Sequence, residues 1–445
     1  MNAAEGLDFA QTEVARASLD HCVKCTICET HCPVSAVTPK FTGPKFVGPQ
    51  AERFRHGESV DHSLDYCSSC GACTLACPQG VKIAELNSQA RAVMKADHMP
   101  LRDQLISQTT LMGMAMTPVA PLANAALSIK PLRNVVERVL GIHRDAPMPK
   151  ANTQTITGWL KKRKKPTVKA TRGTLIFFHG CAGGYFEVET SKKSIEVLEH
   201  LGYEVLVPKQ GCCGLAQQSN GLFDGATQKV LKLCDELRAS GRDLTIISSS
   251  GSCTGMLKHE AHEIMGGDDS RLADVGTRIR DIMEFLLELY DADELPTDFK
   301  PVPLTAVYHA PCQLKSQGMG QPALEILKLI PGVQAVESEV ACCGIAGTYG
   351  LKKEKYEIAQ AMQAKRERLA ELFKGFPDVT LTADQASEAN QLNGELKELG
   401  EKLDQAAQLE AIHINNQRAL EAGRVVPQDD RPAGRQREQV DEGKT

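Results

Sequence analysis

An α+β, multidomain fold is expected for this chain: an N-terminal α-helical domain carrying two cysteine runs, followed by two α/β repeats. Two patterns lead there. Eight cysteines between 22 and 77 form two runs of one spacing, each closed by a proline. From 173 onward short apolar strands alternate with helical stretches, and the plan returns from 304 with a Cys-Cys-Gly triplet in each copy. A length of 445 residues accommodates several domains, and 42% apolar residues is an ordinary globular share. The formal net charge of −5 gives no global sign of nucleic-acid binding. The start, Met-Asn-Ala-Ala-Glu-Gly, has no basic segment leading into an apolar core, so no cleaved signal and a cytoplasmic location are expected.

Residues 1–21 read as a lead-in and 22–100 hold both runs. Between them Thr38 to Pro49 is dense in Pro and Gly, which predicts a loop without a regular element. Residues 111–129 carry no charge and approach the ~20 residues of a bilayer span. Pro118 and Pro121 break that stretch, and Thr117 and Asn124 add polarity, which favours two helical pieces packed on the protein or lying at a membrane interface over a span. Trp159-Leu160 followed by five basic residues, 161–165, reads as a solvated linker or as a contact for anionic headgroups. Prolines 147, 149 and 166 mark a domain boundary within 147–172.

In the first repeat, strands are expected at 174–178, 204–208 and 244–248, with helices at 188–201 and 222–240. In the second, strands are expected at 304–309, 333–336 and 379–382, with helices at 322–329 and 352–374. The period is about 130 residues, the size of one domain per copy. After 382 the alternation stops: 384–421 is polar with leucines at helical spacing, and 424–445 reads as disordered. The domains so expected are 1–100, 101–172, 173–295, 296–382 and 383–445.

The first run is Cys22-Val-Lys-Cys25-Thr-Ile-Cys28-Glu-Thr-His-Cys32-Pro33; the second is Cys67, Cys70, Cys73 and Cys77 with Pro78. In a reducing compartment clustered thiols point to metal rather than disulfides. This spacing is that of two-cluster ferredoxins, in which three sulfurs sit on one tight loop and the fourth crosses to the other cluster. One [4Fe–4S] cluster is thus expected on Cys22, Cys25, Cys28 and Cys77, and the other on Cys67, Cys70, Cys73 and Cys32. Structural zinc would need only four ligands. Lys24, Thr26 and Glu29 read as solvent-facing loop residues.

Each repeat adds thiols at strand ends, where α/β folds build sites. Copy one has Cys181, Cys212, Cys213 and Cys253; copy two has Cys312, Cys342 and Cys343. The same order twice favours functional thiolates over packing, and the glycines after 213 and 343 allow a tight turn. His179 and His309 precede the lone cysteines and read equally as hydrogen-bonded strand-end residues or ligands. Cys234 falls outside every group and reads as a buried apolar residue. No G-x-G-x-x-G with a following acid and no P-loop occurs, so electron transfer rather than substrate chemistry is indicated.

The pairing of two such runs with two Cys…Cys-Cys-Gly repeats resembles the CCG-domain iron–sulfur proteins, among them glycolate oxidase iron–sulfur subunits and heterodisulfide reductase subunits. Segments at 22–28, 42–45, 111–113, 128–133, 178–181, 308–312 and 341–350 look like those of the branch that serves anaerobic glycerol-3-phosphate oxidation. The resemblance covers about residues 20–380. It implies two [4Fe–4S] clusters, with a further iron–sulfur centre at the CCG cysteines as an extension. It also implies a flavin-bearing catalytic subunit and a second flavin-associated subunit as partners, membrane quinone as acceptor, and peripheral attachment to the cytoplasmic face of the inner membrane. A hydroxy-acid (glycolate or lactate) oxidase or a heterodisulfide-reductase-like enzyme is the alternative setting. The family's second repeat ordinarily ends in Asp-Cys-x-x-Cys, whereas here Thr382 is followed by Ala383-Asp384-Gln385-Ala386. That departure leaves Cys312, Cys342 and Cys343 short of partners and is the expected mark of a frameshift or fusion.

Overall fold

The structure is a computed structural model that describes residues 17–51, 61–96, 98–164, 170–264, 269–338, 342–345 and 347–374. Residues up to 371 form one compact unit, and 372–445 form a second. The strand expected at 379–382 and everything expected after it lie outside the described residues.

Each cysteine run ends in a single helical turn, α1 (Ile27–Thr30) and α2 (Ala72–Leu75). Behind them lies α3 (Ile83–Lys95), with Ile83, Leu86 and Ala90 facing inward. The segment expected to be free of regular structure contains a helical turn instead, Phe46–Gln50. It forms because α3 backs it: a side chain on Gly48 would meet Asn87, whose amide donates to the Pro44 carbonyl at 3.5 Å.

The linker folds as α4 (Leu101–Ile106), α5 (Thr109–Met116), α6 (Ala120–Ala126), α7 (Lys130–Leu140) and α8 (Ile156–Lys162). Pro118 sits in a short 3-10 turn between α5 and α6, and Pro121 in the first turn of α6, where a missing N–H costs nothing. Asn124 holds α6 to the body through both backbone groups of Ala151, at 2.9 and 3.0 Å. Trp159 packs against the core of the first repeat, and Arg163 lies 4.7 Å from its ring while pairing with Glu199 at 2.6 and 2.7 Å. The aromatic and one cation of the expected headgroup contact therefore serve the fold.

The first repeat is a parallel four-stranded sheet in the order β2-β1-β3-β4: β1 (Thr174–Phe178), β2 (Glu204–Leu206), β3 (Ile246–Ser248) and β4 (Ile279–Asp281). Its helices are α9 (Val188–His200), α10 (Leu215–Gln218), α11 (Phe223–Arg238), α12 (Gly251–Gly255), α13 (Ser270–Arg278) and α14 (Ile282–Asp291). Strand alternation divides β1 between two cores. Ile176 and Phe178 meet α11 and α13, while Leu175 and Phe177 meet α9 and α14. Cys234 is fully buried in the first of these cores, as a packing residue. β4 is an addition to the expected strands: three residues with Arg280 at the centre carry no strand signal, and pairing with β3 forms it.

The second repeat contributes a two-stranded parallel sheet, β5 (Leu304–Tyr308) with β6 (Val333–Glu337). Its helices are α15 (Cys312–Lys315), α16 (Pro322–Lys328) and α17 (Lys353–Lys374). Ile326 of α16 joins a core of the first repeat. On the other side Tyr349, Ile358, Ala359 and Met362 share a core with Val34, Phe41 and Leu64 of the N-terminal domain.

Candidate metal centres

The two runs adopt one backbone. Lys24 and Thr26 have φ of 61° and 70°, and the matching Ser69 and Gly71 have 54° and 77°. Left-handed backbone costs roughly 1–2 kcal/mol at a non-glycine residue, most at a β-branched one. Lys24 and Thr26 are thus more than exposed loop residues, since their conformation curls three cysteines onto one centre. Around one cavity the structure brings Cys22, Cys25, Cys28 and Cys77. Around a second it brings Cys67, Cys70, Cys73 and Cys32. The fourth sulfur of each run therefore crosses to the other's cavity.

None of the sixteen cysteines is in a disulfide. Burial pushes the Cys28 thiol up to about 11, with Glu29, Cys25, Cys77 and Cys22 adding to it. Cys70 is pushed up to about 12, again first by burial. Cys73 is raised by burial and then by Cys67, Cys70 and Cys32. Four such sulfurs ionise together only around a strong positive charge, which is what iron supplies. The donor set fits a thiolate-ligated cluster in each cavity. Arg91 on α3 fixes the second loop, donating to the Cys67 carbonyl at 2.8 Å, Ser69 at 2.8 Å and Ser219 at 3.1 Å.

The CCG loops also share one geometry. Gly214 and Gly344 have φ of 85° and 76°, and their N–H groups donate to Cys212 Sγ at 3.5 Å and Cys342 Sγ at 3.3 Å. A Cβ on Gly214 would lie 2.8 Å from the Ala226 carbonyl oxygen, and one on Gly344 would press still harder on that of Ala359. Only glycine fits either position.

In the first repeat four thiols gather. Cys212 Sγ lies 3.9 Å from Cys181 Sγ, and Cys213 Sγ 3.4 Å from Cys253 Sγ. Thr109, at the start of α5, donates its hydroxyl to Cys181 Sγ at 3.2 Å and lies 3.9 Å from Cys212 Sγ. Hydrogen bonds with Cys181 and Cys213, the Gly214 N–H and Lys229 lower the Cys212 thiol, while Cys181 and Cys213 are raised. Sequence reasoning had no means of finding Thr109, which lies 72 residues from its sulfur. His179 turns its Nδ1 to the Gly180 carbonyl at 2.6 Å, so its role is hydrogen bonding at the strand end. His309 stands just beyond β5.

The second repeat brings three thiols toward the N-terminal domain. Cys312 is raised by burial and then by Cys343; Cys342 is raised by Cys343, by burial and by Cys70. α15 lies between α2 and α12. A Cβ on Gly71 would meet Ser316 at 3.0 Å, and one on Gly251 would meet Leu314 at 2.6 Å. Gln317 also donates to the Gly251 carbonyl at 3.0 Å. Packed elements thus link the second cavity to the second repeat, and α15 of that repeat to α12 of the first, which carries Cys253.

A buried charge network joins the same parts. Fully buried Asp103 accepts from Lys95 at 2.9 Å, Lys352 at 2.8 Å and Arg102 at 2.9 Å. Lys95 and Lys355 meet Asp65 at 2.8 and 2.9 Å, Arg102 grips Glu354 through two bonds of 2.8 Å, and Lys352 donates to Asn220 at 2.8 Å. Four cations face three carboxylates. The surplus falls most on Lys352, pushed down to about 7 by burial, then by Lys355 and Lys95. Breaking such a network costs roughly 3–5 kcal/mol, because it strands a buried charge.

The family model described as a 4Fe-4S dicluster domain matches residues 18–81, and the one described as a cysteine-rich domain matches 175–258 and 306–386. The chain is 38% identical over 353 residues to a subunit of the anaerobic glycerol-3-phosphate dehydrogenase of Escherichia coli (strain K12), covering 78% of this chain and 88% of that one. It is 27% identical over 197 residues to "Lactate utilization protein A" of Oceanobacillus iheyensis, covering 43% and 78%. It is 24% identical over 375 residues to a subunit of the dihydromethanophenazine:CoB--CoM heterodisulfide reductase of Methanosarcina barkeri, covering 80% and 84%. No solved structure matches.

Proposed function

The chain belongs to the CCG-domain iron–sulfur family, in which its relative is a subunit of anaerobic glycerol-3-phosphate dehydrogenase, and from that premise we propose that it passes electrons from a flavin-bearing, glycerol-3-phosphate-oxidising subunit to membrane quinone. At the coarser level it is an iron–sulfur electron-transfer subunit of a multisubunit oxidoreductase. The proposed assembly also holds a second flavin-associated subunit and attaches peripherally at the cytoplasmic face of the inner membrane.

The observation that carries this reading is the pair of adjacent cavities, each lined by four thiols with one sulfur crossing from the other run. Cys22, Cys25, Cys28 and Cys77 would hold one [4Fe–4S] cluster, and Cys67, Cys70, Cys73 and Cys32 the other. When bound, such clusters take up and release single electrons. The chain's own part is to exclude water and fix the spacing. The left-handed loops, Arg91 and the proline after each crossing cysteine do this. The four thiols of the first repeat are the stronger candidates for a further iron–sulfur centre.

Purification with its neighbours is expected to yield a flavoprotein that oxidises glycerol 3-phosphate, and about eight irons for two cubanes, more where a repeat is occupied. Cys28→Ala is expected to remove about four of them. A lactate- or glycolate-oxidising flavoprotein in its place would move the chain to the alternative setting. Unchanged iron in Cys28→Ala would overturn the ligand assignment.

A further inference from the structure

The two cysteine loops share one backbone and differ in what covers them. Residues 68–72 of the second loop are all half-buried. A Cβ on Gly71 would meet Ser316 of α15 at 3.0 Å, and Arg91 donates to Ser69 at 2.8 Å. The matching residues of the first loop, 23–27, are all exposed, Val23 at 51% and Ile27 at 37%. Of the sixteen cysteines Cys25 alone is exposed. Lys45 lines the same cavity, and Phe46 beside it is 49% exposed. One cluster loop is thus covered by this chain's own domains, while its structural twin faces outward with three large apolar side chains around it.

Charge says what kind of partner fits. Residues 21–50 hold three lysines, Lys24, Lys40 and Lys45, and one acid, Glu29. Glu29 folds back on the chain, where a Cβ on Gly43 would meet its Oε1 at 3.0 Å. Among the described residues the first cavity is walled by Lys24 and Lys45 and by no carboxylate. The cleft beside the second loop is of the opposite kind, with Glu85, Glu260 and Glu263 against Lys82 and His259. An acidic protein surface is therefore attracted to the first loop and repelled from the second. A few apolar groups, an aromatic among them, inside a charged rim is the anatomy of a protein interface, and the rim sets orientation and encounter rate. Electron exchange weakens steeply with distance through protein, so a ligand sulfur at the surface is where a second redox protein must meet this one.

We propose that residues 23–27, with Lys45 and Phe46, are the docking surface for the electron-donating flavoprotein subunit, which presents an acidic rim around its redox group, so that electrons enter at the Cys25 edge of the first cluster and pass on to the second. This rests on the reading of the chain as an iron–sulfur carrier served by a flavoprotein. It adds where the donor docks and which cluster it reduces. Each transfer oxidises the donor by one electron and reduces the first cluster by one, and the donor's proton leaves to water. Passing the electron to the second cluster reoxidises the first.

The test is zero-length carbodiimide cross-linking of the unaltered complex, which joins a lysine amine to a carboxylate in contact with it. Lys24 and Lys45 are expected to link to acids of the flavoprotein, and less so as salt rises. Links from those lysines to a second copy of this chain, or to its own residues 1–16, would give the surface to that occupant and overturn the proposal. Flavoprotein links that come only from other lysines, such as those of 161–165, would overturn it equally. Lys45→Glu with Phe46→Ser is expected to slow reduction of the clusters by glycerol 3-phosphate in the mixed complex by about tenfold or more, while iron content and melting temperature hold. Leu304→Ser, at an exposed residue of β5, should leave that rate unchanged. A doubly altered chain that keeps its iron and is reduced as fast as the unaltered one would also overturn the docking surface. Failure of the unaltered chain to co-elute with any flavoprotein would instead remove the reading on which it rests.

Discussion

In the first repeat a four-stranded sheet is covered on both faces, whereas β5 and β6 of the second leave Leu304, Val307 and Val336 52%, 47% and 40% exposed. The first repeat carries its own cores on either side of β1. The second has no comparable core among the described residues and leans outward, giving Ile326 to the first repeat and Tyr349, Ile358 and Met362 to the N-terminal domain. What the copies keep in common is the loop: a left-handed glycine and an N–H donated to the first sulfur of the pair. The sulfur loop thus keeps one geometry although, among the described residues, the two copies place their apolar groups against different neighbours. Thiols of the second repeat lie close enough to the second cavity that Cys70 helps to raise Cys342 and Cys312 helps to raise Cys70.

The sharpest way to break this contrast is to cut the two sheets. Phe178→Ala, in the fully buried β1, is expected to cost about 3–5 kcal/mol in denaturant unfolding, while Val307→Ala in β5 should cost less than about 1 kcal/mol. Equal losses would mean that the second repeat has a core of its own. A smaller effect is expected at the shared loop. Gly344→Ala should destabilise by about 2–4 kcal/mol and Gly214→Ala by about 1–3, both from positive φ plus overpacking. Gly344 is the more costly because its Cβ would sit closer to a backbone carbonyl oxygen than that of Gly214. Melting curves that reverse this order would show the second loop to be the more yielding.

The mildest effect concerns how the second repeat is held. Lys352 is pushed from 10.5 down to about 7. Between those values the unfolded chain binds the proton that the folded chain has released, so stability rises with pH across about 7 to 10.5. The slope from this group is at most ~1.4 kcal/mol per pH unit. Lys352→Met should flatten that part of the stability profile while keeping Asp103 paired with Lys95 and Arg102. Identical slopes in the two proteins would place the surplus cation elsewhere in the network.

Much of this molecule is legible from spacing alone. The strands at 174–178 and 304–308 and the helices near 188–200, 223–238 and 353–374 follow from apolar period and breakers. The structure brings the eight N-terminal cysteines together in the two groups expected from their spacing and from the crossing of the fourth cysteine in two-cluster ferredoxins. Where sequence reasoning fails, the signal is weak or distant. β4 is three residues long and exists because β3 pairs with it. The turn at Phe46–Gln50 exists because α3 supports it. Trp159 reads as a membrane contact only while Glu199, 36 residues beyond Arg163, is left out of account.

The sequence by itself determined the chemistry, because three cysteines at every third position impose their geometry on whatever chain follows. It also determined where glycine must follow a cysteine pair. Only the tertiary structure decided the gathering of the four thiols of the first repeat, the pairing of Thr109 with Cys181, and which helical faces remain apolar and open. Those depend on contacts across tens to hundreds of residues, Lys352 with Asp103 among them at 249. Such contacts leave no local period to read, since each is fixed by the packing of elements that are themselves ordinary in sequence.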